Sequence, residues 1–238
     1  DTLDISNSLG LQQFYSYGSP NLKTVYISPD QKFSYSADAH TSFAYKGTMY
    51  ASTDYSRDGE VVVLQSATKG KGIDIVLMGD GFSDRLIADG TYDSYMGQAM
   101  EHFFSVEPYK SFRDYFNVYS VKAVSENETV SPFSTTALQC WFGDGTLVGG
   151  NDGTVFSYMQ RAISPDRVAE ATSLVVINKN VYAGTCYMYF PSSGNYGNGT
   201  SIAYVPLGNR EGMFEELIHH EMGGHGFAKL GDEYYDES

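Results

Sequence analysis

The residues best suited to chemistry lie near the C-terminal end: His219-His220-Glu221-Met222-Gly223-Gly224-His225, followed by Asp232-Glu233-Tyr234. A hydrolytic zinc site needs three protein ligands and one open position for water. Two histidines about one turn apart on a helix supply two ligands at a fixed separation. A Glu directly after the first points toward the open position and can take a proton from water. His220 and His225 are therefore the expected Zn2+ ligands and Glu221 the expected general base. A turn at Gly231 would return an acidic side chain to the ion. Asp232 is the expected third ligand, Glu233 the reserve, and whichever does not bind would support a ligating histidine. Tyr234 is a candidate donor to a developing oxyanion, against the plainer reading of a packing tyrosine.

The spacing is unusual. His220 and His225 are five positions apart, where the common motif has four. On a regular α-helix, positions five apart differ by about 140° in direction and positions four apart by about 40°. His219 does not repair this, because six positions are offset by about 120° the other way. One ion can be shared only if the helix widens locally into a π-type bulge, and Gly223-Gly224 supplies the backbone freedom for it. The bland alternative is a helix that stops at the glycines, with the histidines as ordinary last-turn cations. Three of five histidines within seven residues, a Glu among them and a carboxylate pair downstream weigh against it.

The elements that must position these residues can be read from periodicity. Met213–Ile218 is rich in helix formers, with starting signals at Asn209 and Glu211, so the histidines should continue a helix. Ile73–Met78 and Ser173–Asn178 read as buried strands, and Asn117–Val124, Cys186–Phe190 and Ile202–Leu207 as further strands. Tyr92, Tyr95, Met96, Ala99, Met100 and Phe103 form the stripe of a core-facing helix, capped by Thr91 or Asp89. Helices are also expected over Thr154–Ile163 and from Ser164-Pro165. Strands alternating with helices imply an α/β layer with a mixed sheet. Residues 1–68 instead alternate Tyr, Phe, Ser and Thr through Lys23–Ile27, Gln31–Tyr35, Ser42–Tyr45 and Thr48–Ser52, as in a small antiparallel sandwich. The expected organisation is α+β overall: an N-terminal β-rich domain (1–68), a linker at Thr68–Gly72 and a catalytic domain (73–238). The glycine/aspartate stretch 143–154 faintly echoes calcium-binding repeats but reads better as turns.

Bulk properties narrow the function classes. The 238 residues are 42% hydrophobic and carry a formal net charge of -14, with no apolar run long enough to span a bilayer. Such acidity argues against nucleic-acid and anionic-membrane partners, which need a basic footprint. It favours a protein working outside cells. Cys140 and Cys186 could form one disulfide or remain two thiols. The chain begins on a polar stretch without a leader and stops soon after the last motif residue, so a trimmed start and a further C-terminal part are expected.

The combination HHEMGGHGFAKLGDEY resembles the active-site signature of the IgA-peptidase family of secreted bacterial zinc metallopeptidases. There, a His-Glu-x-x-His helix is followed by a Leu-x-Asp-Glu-Tyr ending. IDIVLMGDGFSD and EHFFSVEPYKSFRDYFNVYSV resemble the opening strand and helix of that family's catalytic domain, and the β-rich first third resembles its N-terminal domain. The resemblance implies a metzincin-like catalytic domain in which an edge strand such as Ile202–Leu207 holds substrate by strand addition. It carries the ligand role to His220, His225 and Asp232, and the base role to Glu221. The inserted residue departs from the pattern and leaves His219 as a competitor for first ligand. It further implies a protein or peptide substrate, immunoglobulin A or other host glycoproteins among them. The location would be secreted or cell-surface, with membrane contact only through an N-terminal lipid anchor outside this sequence. The rival readings are an adhesion module that keeps a degenerate fold and metal-assisted hydrolysis of something other than protein.

Overall fold

The computed structural model describes residues 1–8, 10–11, 13–28, 34–47, 49–131, 134–191 and 197–232. The first third forms five short strands: β1 (Thr2–Asp4), β2 (Gln13–Ser16), β3 (Thr24–Ile27), β4 (Ser34–Ala37) and β5 (Ser42–Tyr45). They do not pair antiparallel as expected. β1, β3 and β5 form one parallel sheet and β2 and β4 another. Successive strands alternate between the sheets, so each connection carries the chain across instead of folding it back on its neighbour. Strands that share a sheet therefore run the same way. Val25 and Ile27 are buried there, and Phe14 and Phe43, one from each sheet, meet edge to face at 6.1 Å. Residues 31–33 of the expected strand at Gln31–Tyr35 lie outside the described residues.

Of the strand expected at Thr48–Ser52, the described part, Met49–Ser52, is irregular. Its polar groups pair with the 125–127 loop, Ser52 N–H with Glu126 O (2.9 Å), Ser52 Oγ with Ser125 O (2.7 Å) and Asn127 Nδ2 with Tyr50 O (2.8 Å). That satisfies the backbone without a sheet partner.

From residue 61 onward the elements are β6 (Val61–Gln65), β7 (Ile73–Asp80), α1 (Asp84–Ala88), α2 (Thr91–Phe103), β8 (Phe116–Val121), the hairpin β9 (Trp141–Phe142) and β10 (Val148–Gly149), α3 (Asp152–Ala162), α4 (Pro165–Val168), β11 (Thr172–Ile177), β12 (Thr185–Met188), β13 (Ser201–Pro206) and α5 (Met213–Leu217). Six strands make one mixed sheet in the order β12-β13-β11-β7-β8-β6. The inner four are parallel, and β12 and β6 pair antiparallel at the two edges. Thr68–Gly72, expected as an interdomain linker, joins two strands of this sheet.

The near-continuous apolar strands fit a sheet covered on both faces. Ile75, Leu77, Leu174 and Val205 pack under Tyr92, Met96 and Phe103 of α2 and Leu217 of α5. Val76, Met78, Val175 and Ile202 face Val155, Phe156 and Met159 of α3. The stretch 143–154 resolves into the β9–β10 turn and the start of α3, where Asn151 caps by accepting from Thr154 N (3.1 Å).

One further expectation changes, and one left open is decided. Ile202–Leu207 is not an edge, because β13 is paired on both sides. The chain returns after Ala183 as β12, which covers that edge and becomes the rim itself. Cys140 and Cys186 are both free thiols.

Candidate metal centre

Good helix formers make α5, which starts at Gly212 in the left-handed conformation (φ 76°). Its continuation, Ile218–Phe227, is a π-helix. The widening expected at Gly223-Gly224 is present and spreads over the whole histidine segment. Ala228 N–H bonds to Gly223 O at 3.0 Å, five positions back. In this geometry residues five apart return to one face, as residues four apart do on an α-helix.

His220 Nε2 and His225 Nε2 accordingly lie 3.1 Å apart. Asp232 Oδ1 approaches them at 3.3 and 3.2 Å respectively. His225 Nδ1 lies 2.7 Å from Leu230 O. As the donor there it leaves Nε2 bare and facing the other two groups. Leu230 is held in turn by its own N–H to Gly224 O at 3.0 Å, past Lys229 in the left-handed conformation (φ 59°).

The donor set fits a metal ion. Four-coordinate zinc at about 2.0–2.2 Å from its ligands would space their donor atoms roughly 3.3 Å apart. The observed triangle of 3.1–3.3 Å has that size, and two imidazoles with one carboxylate are ordinary ligands for it.

His219 is not among the convergent donors. Its Nε2 lies 2.7 Å from His102 O and 3.0 Å from Ser105 Oγ, against the end of α2. Glu233 and Tyr234 fall outside the described residues.

Glu221 is 6% exposed. Burial pushes its carboxyl up to about 7, the neighbouring His225 lowers it and Asp232 raises it. It lines a cleft of about 890 Å³ together with His220, His225 and Asp232. One wall is the hairpin turn Asp144–Leu147, another is Met213, Glu216 and Leu217 of α5, and β12 contributes Thr185, Cys186 and Met188. Burial pushes the Cys186 thiol up to about 12, so it is not a thiolate. Gly184 makes room for the carboxylate, since a Cβ there would lie 2.8 Å from Glu221 Cγ and 2.9 Å from its Cδ.

Residues 61–238 match the family model described as IgA Peptidase M64. The chain belongs to the IgA peptidase M64 family. It is thereby a peptidase, of a family of metallopeptidases, and its substrates are proteins or peptides. No curated protein matches the chain.

Several residues that shape the centre of this M64 peptidase are not foreshadowed by the motif. Gly184 carries no local signal. Tyr109 donates to Gly223 O at 2.7 Å and Ser201 to Gly226 O at 2.8 Å. Both reach the π-helix from distant parts of the chain, where neither periodicity nor motif spacing could reveal them.

Proposed function

We propose that this M64 peptidase is a zinc-dependent endopeptidase in which His220, His225 and Asp232 hold the metal and Glu221 is the general base. The observation carrying this reading is the convergence of three donor atoms at 3.1–3.3 Å beside a buried carboxyl. When bound, such an ion polarises a carbonyl and acidifies water. Glu221 takes the proton of the attacking water and passes it to the departing amine. The Leu230 carbonyl keeps His225 in the tautomer that presents Nε2. Substrate would lie along β12, the rim strand beside the π-helix, by strand addition.

We further propose a metzincin-like catalytic unit that includes β6, preceded by a separate N-terminal β-rich unit that supports or positions substrate. The net charge of -14 and the family favour a secreted or cell-surface enzyme acting on extracellular proteins, immunoglobulin A or other host glycoproteins among them. Nucleic acid is excluded from the proposed partners on the same charge argument.

The test has two parts. The purified chain should contain one zinc per molecule by elemental analysis. Glu221→Gln should keep that zinc while peptide cleavage falls by a factor of about 10²–10⁴. Absence of stoichiometric metal near neutral pH, or undiminished cleavage by the variant, would sink the proposal. A cleavage screen against extracellular proteins then identifies the substrate.

A further inference from the structure

A π-helix is a rare element, so contacts that hold its wide turns from outside the helix bear on whether it forms. Gly223 stands between the two histidines of the cluster in sequence, and its carbonyl oxygen has two donors. It accepts from Ala228 N–H at 3.0 Å and from the hydroxyl of Tyr109 at 2.7 Å. The second bond comes from 114 positions away in sequence, in the segment that follows α2.

Tyr109 is fixed where it stands. It is buried, its ring stacks on Phe103 with centroids 4.3 Å apart, and Phe227, the last residue of the π-helix, meets it edge to face at 5.5 Å. Gly223 is shaped to the same contact. A Cβ there would lie 3.1 Å from Tyr109 Cε2, so the ring fills the space that the missing side chain leaves. Ser201 grips the neighbouring turn through Gly226 O at 2.8 Å.

We infer that Tyr109 is a positioning residue for the metal ligands. Through Gly223 O it sets the width of the turn that lets His220 and His225 meet, without touching metal or substrate. The inference rests on the metal-site reading above. The plain rival is a core tyrosine whose hydroxyl merely finds an acceptor, and such a residue would affect stability alone.

Tyr109→Phe keeps the ring and removes only the hydrogen bond. Zinc affinity of the full chain, measured by competition with a chromogenic chelator, should fall about tenfold, in the range lost when groups that orient metal ligands are removed. The visible spectrum of the cobalt-substituted variant should shift, and the melting temperature of the metal-free protein should stay close to wild type. Gly223→Ala attacks the same contact from the other side and should weaken zinc binding likewise. Wild-type affinity and an unchanged cobalt spectrum in Tyr109→Phe overturn the positioning role, even if the variant melts earlier. Failure of the wild-type chain to bind zinc overturns the metal-site reading and this inference with it. Zinc bound equally by wild type and variant overturns only the inference.

Discussion

His220 Nε2 and His225 Nε2 stand 3.1 Å apart although five positions separate the residues. A regular helix would point the two rings about 140° apart. The π-helix removes that mismatch, and it brings two ring nitrogens and the Asp232 carboxylate to within hydrogen-bonding distance of one another. A cation between them would relieve the crowding, which on the proposed reading couples metal binding to helix geometry.

Metal removal should therefore destabilise the protein. A ligand present at a hundred times its Kd stabilises the folded state by about 2.7 kcal/mol. Calorimetry with and without a chelator should show a drop of several degrees in Tm, reversed by added zinc. An unchanged Tm would argue against a metal held by these residues.

Gly184→Ala should act on chemistry and not on metal content. The new Cβ would lie 2.8 Å from Glu221 Cγ and displace the carboxylate. Small misplacements of a reacting group cost up to about a hundredfold. The expected result is kcat/KM reduced by about 10–100-fold with zinc content unchanged. Full activity would show that the carboxylate has another place to go.

Asp80 closes β7 as a fully buried carboxylate. One oxygen accepts from Ser125 Oγ (3.1 Å) and Leu138 N (2.9 Å), the other from Thr136 Oγ1 (2.8 Å) and Cys140 N (2.9 Å). Asp80→Asn would turn an amide donor toward two of these donors. A loss of about 2–3 kcal/mol is expected in urea denaturation, the cost of leaving buried polar groups unpaired. A loss well under 1 kcal/mol would show that the loop carrying Thr136 and Cys140 can re-pair elsewhere.

Acid should weaken the fold through Glu60. Its hydrogen bond from Arg57, and then that from the buried Lys122, hold the carboxyl down at about 2 against an ordinary 4.5. The folded value lies below the unfolded one, so this contribution is complete above about pH 4.5 and is lost as pH falls toward 2. Its size is moderated by solvent, since the Glu60 side chain is 38% exposed. Protonation nevertheless leaves the Lys122 ammonium with only Asp93, at 3.6 Å, as an acidic partner among the described residues. Tm measured across that range should fall less steeply in Glu60→Gln than in wild type. Parallel curves would remove Glu60 from the acid response.

Much of the sheet and its helices was legible because apolar periodicity is a local signal. Ile73–Met78, the Tyr92–Phe103 stripe and Ser173–Asn178 all became the elements their patterns imply. Pairing was not legible. Short Tyr- and Phe-rich strands look alike whether their neighbours run parallel or antiparallel, so the N-terminal sheets and the placing of β13 behind β12 needed long-range contacts to decide them.

Which groups the centre can offer is written in the chain's local order: two imidazoles, a carboxyl beside the first, another after a glycine turn, and an inserted residue that demands a widened helix. Side-chain type and spacing along one helix suffice for that, because both are local properties. Long-range packing set the remainder. It turned His219 away onto His102 and Ser105, left Gly184 as the space for Glu221, and brought Tyr109 and Ser201 to the carbonyls of the widened turn. Those are contacts between residues far apart in the chain, and packing alone determines which of them form.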